Sequence, residues 1–230
     1  KNLSSQNQYK QRVAIIGSGP AGMAASAYLT QNGYQVDVFE KNDRAGGLMI
    51  YGIPNFKLDK KIVERRTEWL SESGVKFNLN FEVGKNISFQ DLEKDYDAIL
   101  IATGVYKARK LDINTSSVDN SIPALDFLIE SNRIGLGDSP SNNKFLNAKD
   151  KNVVVIGGGD TAMDCVRTAI RQQAKEVTCL YRRNKENMPG SAREVLNAEQ
   201  EGIKFNWLSV PSKIISDNST ATSMTYKVAA

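Results

Sequence analysis

Two short glycine-rich runs carry the chemistry most open to reading in this chain. "VAIIGSGPAGMAA" spans Val13 to Ala25 and "VVVIGGGDTAMDC" spans Val153 to Cys165. Each sets β-branched and apolar residues before a G-x-G-x-x-G/A turn, completed by Gly17, Gly19 and Gly22 in the first and by Gly157, Gly159 and Ala162 in the second. In such a turn the first glycine permits a tight bend and the second lets the backbone approach a pyrophosphate. The third position, which tolerates alanine, lets helix and strand pack closely. The helix that follows aims unpaired N–H groups and the positive end of its dipole at the phosphates. The pattern alone is weak, because glycines gather in many surface turns. A buried strand before it and a helix after it are what give it weight.

The two copies part company about 20 residues further on, where a ribose is read. The first copy's next strand, "YQVDVFE", ends in Glu40, a carboxylate able to accept hydrogen bonds from ribose hydroxyls and expected to repel a 2′-phosphate. The first site therefore suits FAD or NAD; the bland alternative is that Glu40 is a solvated strand end. The second copy's strand, "EVTCLYRR", ends in Arg182 and Arg183. Their forked donors match phosphate oxygens, so the second site is expected to prefer NADPH, unless the arginines merely solvate the strand end. Asp160, an acid beside a pyrophosphate, is read as shaping the turn, leaving Thr161 and Ala162 to present N–H groups. Two sites of opposite preference imply electron transfer: a hydride leaves NADPH at the second and reaches a flavin at the first. Such chemistry belongs to the cofactors and needs no side-chain base.

The elements that must position these residues form two βαβ units in tandem, an α/β fold with two Rossmann-like parallel sheets. "RVAII" and "AILIA" (98–102) read as strands buried on both faces. The helix "MAASAYLTQNG" stops at Gly33, and an amphipathic helix near Asp59 to Ser73 is expected to bury Ile62, Trp69 and Leu70. Short strands follow near Val75 to Leu79. From Val105 to Lys151 the chain is mixed, with a surface loop at Gly135 to Asn143. The second unit runs from Val153 through a helix to about Gln173, the "EVTCLYRR" strand, a helix at Ala192 to Glu201 and a strand "IKFNWL". "KIISDNSTATSMTYKV" reads as a hairpin on Asp217 and Asn218 without a second half.

Composition excludes several classes. The 230 residues contain no histidine, which removes Ser-His-Asp and Cys-His catalysis and any His-ligated metal site. Cys165 and Cys179 form no C-x-x-C pair and read as small packing residues, which argues against thioredoxin-reductase-like disulfide reduction. The net charge of +4 comes from interspersed charges without a basic, aromatic-laced run, so no nucleic-acid partner is expected. No apolar run approaches the roughly 18 residues of a membrane span, and the opening residues lack the apolar heart of a signal peptide, which makes a cytoplasmic address the default. The chain opens on Lys1 and stops at "MTYKVAA" inside an apparent strand, and is expected to be a fragment.

As a set, "AIIGSGPAGMAA", "VFEKNDRAGGLMIYGIPNFKLDK", "ILIATG", "VVVIGGGDTAMDCVRTAIRQ" and "CLYRRNKENMPGSAREV" resemble the small (beta) subunits of NADPH-dependent glutamate synthase. Dihydropyrimidine dehydrogenase and NADPH:ferredoxin-type reductases share the same flavin module. The resemblance covers about Arg12 to Pro211. It implies an FAD domain begun by residues 12–125, a connection at 126–150 and an NADPH domain at 151–230 that is incomplete at its end. FAD would meet Gly17, Ser18, Gly19, Pro20, Ala21, Gly22, Glu40, Lys41, Arg44, Gly47, Leu48, Lys57, the backbone near Val83, and Thr103 with Gly104. NADPH would meet Gly157, Gly159, Asp160, Thr161, Ala162, Arg182 and Arg183. The family's upstream iron-sulfur domain and its closing Gly-Asp motif are outside this sequence. The parent is expected to send electrons through iron-sulfur clusters to a large (alpha) subunit that makes glutamate. Another flavin reductase of the same family, or a nucleotide-binding module without turnover, are the alternatives.

Overall fold

The computed structural model describes residues 3, 8–107, 111, 113 and 118–228. The chain divides into two compact units, Lys1–Tyr106 and Lys107–Ala230. No helix among the described residues is long and apolar enough to cross a membrane.

In the first unit β1 (Arg12–Ile16) turns through the glycines into α1 (Pro20–Gln31) and returns as β2 (Gln35–Phe39). Proline at the first helical position lacks only an N–H that would have no intrahelical partner. The loop after β2 contains a single helical turn, α2 (Leu48–Tyr51), and leads to α3 (Lys60–Glu72), β3 (Lys76–Asn78), α4 (Phe89–Asp95) and β4 (Ala98–Ile101). The four strands pair in parallel in the order β3-β2-β1-β4, which puts β1 at the centre. Val13, Ala14 and Ile15 are accordingly buried. Helix α3 begins where the Asp59 carboxylate accepts the Lys61 N–H at 3.0 Å. It buries Val63 and Leu70, each stabilising by about 1.5–3 kcal/mol.

Two expectations need correction here. Ile62 is 48% exposed, because the buried stripe of α3 runs through Val63 and Leu70, one residue round the helix; Trp69 is half-buried. The β4 strand exists but is not buried on both faces. It lies at the sheet edge, with Ile101 64% exposed. An apolar run marks a strand without saying what covers it.

The second unit opens with α5 (Ala124–Gly135), where the sequence reads only as a mixed connection. Helix α5 packs on α6 (Asp160–Arg171), with Gln172 Nε2 donating to Ser131 Oγ at 3.2 Å. Strands β5 (Asn152–Ile156), β6 (Glu176–Leu180) and β7 (Lys204–Asn206) form a parallel sheet in that order, with α7 (Ala192–Gln200) leading into β7. Met163, Val166, Val177, Cys179, Val195 and Ala198 fill its core. The hairpin is complete. β8 (Ser209–Asp217) and β9 (Thr220–Val228) pair antiparallel around Asn218 and Ser219, whose φ values of 45° and 61° make a turn on those residues rather than on Asp217 and Asn218.

Candidate functional site

Each glycine turn sits where the first strand of its unit hands over to a helix, β1 to α1 in the interior of one sheet and β5 to α6 at the edge of the other. Gly17 N–H donates to Phe39 O at 2.8 Å and Gly157 N–H to Leu180 O at 3.0 Å, so each turn is tied to the end of the neighbouring strand. Gly17 has φ +103°, and a side chain there would lie 2.5 Å from Ala102 O. At Gly22 a Cβ would lie 2.0 Å from Gly17 O, so only glycine lets α1 pack against the turn. Gly19 and Gly159 differ: a Cβ at either would meet nothing within 4 Å. The second glycine of each turn thus fronts open space, which a pyrophosphate requires.

At the first turn, Glu40 is 4% exposed, which rules out the solvated strand end. Its Oε2 accepts from Ser18 Oγ at 2.6 Å and from Ser18 N–H at 3.1 Å. Its Oε1 accepts from Asn42 Nδ2 at 2.7 Å and Asn42 N–H at 2.9 Å. Ser18, with no exposed surface, also accepts the Gly46 N–H on Oγ at 3.1 Å. The Arg44–Leu48 loop is thereby drawn onto the turn, and a Cβ at Gly47 would lie 2.8 Å from Gly19 Cα. Along α1, Met23 N–H closes on Gly19 O at 2.9 Å, which leaves Ala21 and Gly22 in the part of the helix whose N–H groups lack an intrahelical acceptor.

The other residues of the first group stand around this centre. Arg44 pairs with Asp43 at 2.8 Å, and Asp43 also takes a hydrogen bond from the Tyr51 hydroxyl. Leu48 begins α2, and the buried Lys60 donates to Met49 O at 2.9 Å and to Ile53 O. Lys57 N–H closes the 54–58 turn on Pro54 O, and Val83 bridges Ile87. Thr103 and Gly104 follow β4, with Thr103 Cα 3.2 Å from where a Cβ on Gly17 would lie. Lys41 Nζ lies 4.8 Å from the Tyr106 ring centroid. Burial, aided by the charge of Glu40, raises the Tyr106 pKa above the usual tyrosine range.

At the second turn, Asp160 opens α6 and its Oδ1 accepts the Ser191 N–H at 2.9 Å. The expectation that Ala162 presents its N–H outward needs correction, because that N–H bonds back to Gly159 O at 2.9 Å within the first turn of the helix. Arg182 and Arg183 follow β6, are exposed, and form no ion pair among the described residues. Cys165 and Cys179 are free and buried; Cys179 donates to Gly157 O at 3.3 Å. Burial pushes both thiols up to about 12, Asp164 adding to the effect at Cys165, so both stay protonated at neutral pH. They are packing residues of α6 and β6, as their spacing suggests.

The sequence reading missed Asn42, Tyr51, Lys60, Tyr181 and the Gly190–Ser191 turn. Asn42 and Gly190, polar and turn-forming residues next to named motifs, were the visible signals. The others act through burial that no local pattern reveals.

The comparisons with known proteins agree with the fold. A family model described as "Pyridine nucleotide-disulphide oxidoreductase" matches residues 11–229. The chain is 53% identical over 207 residues to the "Glutamate synthase [NADPH] small chain" of Azospirillum brasilense, covering 89% of this chain and 43% of that protein. It is 46% identical over 208 residues to the protein of the same name from Escherichia coli strain K12, covering 90% and 44%. It therefore spans less than half the length of these two curated relatives. Mycobacterium tuberculosis FprA in complex with NADPH superposes with a TM-score of 0.73 at 19% identity, covering 95% of this chain and 67% of that one.

Proposed function

Because the chain belongs to the pyridine nucleotide-disulphide oxidoreductase family, we propose that it is the two-nucleotide module of an NADPH-dependent flavoprotein oxidoreductase of the glutamate synthase small-chain kind. FAD held at the first glycine turn and NADPH at the second would supply the chemistry, transfer of a hydride from nicotinamide to flavin. The observation that carries this reading is the opposite charge at equivalent places: Glu40 after β2 and the Arg182, Arg183 pair after β6.

The residues present fit the two groups. Open space in front of Gly19 and Gly159 leaves room for a pyrophosphate against backbone N–H groups. Glu40 would accept ribose hydroxyls in exchange for hydrogen bonds it now takes from Asn42, and its charge would disfavour a 2′-phosphate. Arg182 and Arg183 would offer that phosphate charged, forked donors. In this reading residues 12–125 begin the FAD domain, 126–150 connect, and 151–230 bind NADPH. The parent protein would work in the cytoplasm, pass electrons through iron-sulfur clusters outside this sequence, and deliver them to a large subunit that forms glutamate.

The experiment mixes the chain with FAD and NADPH without oxygen and follows flavin absorbance. Bleaching by NADPH, faster than by NADH, supports the proposal. Binding of both nucleotides without bleaching overturns it in favour of a module without turnover. Replacing Arg182 and Arg183 together by alanine removes hydrogen bonds worth about 1.5–3 kcal/mol each, so NADPH affinity should fall at least tenfold more than NADH affinity. Equal losses would overturn the 2′-phosphate assignment.

A further inference from the structure

The second glycine turn is held from outside by a segment that belongs neither to the glycine motif nor to the arginine pair. Gly190 N–H donates to Gly158 O at 2.9 Å, and Ser191 N–H donates to Asp160 Oδ1 at 2.9 Å. The Tyr181 ring packs so closely on Gly158 that a Cβ there would lie 2.4 Å from it, and the Tyr181 hydroxyl donates to Asn187 O at 3.0 Å. A Cβ on Gly190 would stand 3.0 Å from Gly158 O and 3.4 Å from Gly159 C. Gly190 and Ser191 therefore contact the turn at its middle glycine and at the first residue of α6, and Asn187 is joined to it through Tyr181.

Resting on the reading of the second turn as a pyridine-nucleotide site, we propose that residues 187–191 form a strap that sets the shape of this turn, with Asp160 as the positioning residue that fastens it. The physical reason starts from the carboxylate. An acid facing a pyrophosphate would oppose it, whereas one accepting the Ser191 N–H at the start of α7 has its charge directed at a donor and at the positive end of a second helix. The same bond fixes the distance between α7 and the turn. The turn holds its shape in two ways: the ring of Tyr181 limits movement on one contact, and the strap limits it on another. A cradle of backbone N–H groups binds a pyrophosphate well only when it is preorganised.

The test measures NADP+ and adenosine 2′-monophosphate binding to the full chain by calorimetry, for the unaltered protein and for Asp160→Ala, Asp160→Asn and Gly190→Ala. Adenosine 2′-monophosphate has a 2′-phosphate but no pyrophosphate, so it reports on the arginine pair without the turn. The expected result is that Asp160→Ala and Gly190→Ala weaken NADP+ about tenfold and leave the monophosphate within about twofold. Asp160→Asn keeps an acceptor oxygen and should restore NADP+ affinity. Hydrogen exchange at the Ser191 amide should speed up in Asp160→Ala and not in Asp160→Asn. Unchanged NADP+ affinity in Asp160→Ala, or equal loss of both ligands, would overturn the strap. Failure of the unaltered chain to bind NADP+ would instead overturn the underlying reading, and the proposal with it.

Discussion

Glu40 offers the sharpest measurement, because its role in the ligand-free protein follows from four hydrogen bonds. Replacing it by alanine removes the acceptor for Ser18 and for Asn42. Asn42 is half-buried, and water can take over its donors at small cost. Ser18 has no exposed surface, so its N–H is left without a replacement acceptor. A hydrogen bond to a charged group contributes about 1.5–3 kcal/mol, and a stranded buried donor costs about 1–3 kcal/mol; these overlap, and we expect a loss of about 3 kcal/mol. The assay is urea unfolding followed by tryptophan fluorescence. The chain has two tryptophans, Trp69 in the first unit and Trp207 in the second, so a Trp207→Phe background reports on the first unit alone. With a urea slope of about 2 kcal/mol/M the midpoint should fall by about 1.5 M. Ser18→Ala in the same background should remove only the hydroxyl's share of the effect of Glu40→Ala, because the Ser18 backbone N–H still needs the carboxylate. A midpoint shift below about 0.5 M would refute the argument that Glu40 anchors the turn.

Three further outcomes are expected. Gly22→Ala would place a Cβ 2.0 Å from Gly17 O, a backbone contact that cannot yield; overpacking of this kind costs about 3 kcal/mol, and flavin content after gel filtration should drop with it, whereas normal content and stability would refute the close-packing role. Arg167, 7% exposed, binds Glu194 at 2.6 Å and Glu201 at 2.8 Å, so Arg167→Ala should destabilise the second unit by about 3 kcal/mol in denaturant titrations. Burial works to raise the Glu201 pKa, but hydrogen bonds from Arg171 and Arg167 outweigh it and the net shift is downward. A lowered folded-state pKa stabilises above the unfolded value, so this contribution should be lost as pH falls below about 4.5 and should shrink in Arg167→Ala; an identical acid profile in both proteins would refute it. Cys165 and Cys179, with thiols raised to about 12 by burial, should resist iodoacetamide at pH 8 until the chain is unfolded, and rapid labelling of the native protein would contradict the packing described.

The strands and helices that bear the glycine turns were legible because they are written locally. β1 and β5 are apolar runs, α1 stops before Gly33, and the turn glycines fall at the spacing the geometry needs. Helix α5 escaped notice because Pro123 and a polar loop beyond Gly135 surround a modest apolar stripe. The exposure of Ile62 and of β4 escaped because period and hydrophobicity describe a face without naming its neighbour.

The sequence by itself determined that two glycine turns stand in tandem, that an acid follows one and two arginines follow the other, and that no histidine is present to act as a base. Those facts depend on residue type and spacing along the chain. Only the tertiary structure decided that Glu40 is buried against Ser18, that Asp160 turns toward Ser191, and that Tyr181 seats on Gly158. These contacts join residues 22, 31 and 23 positions apart in sequence. What brings them together is the parallel pairing of strands and the packing of helices, which set side by side groups that lie far apart along the chain.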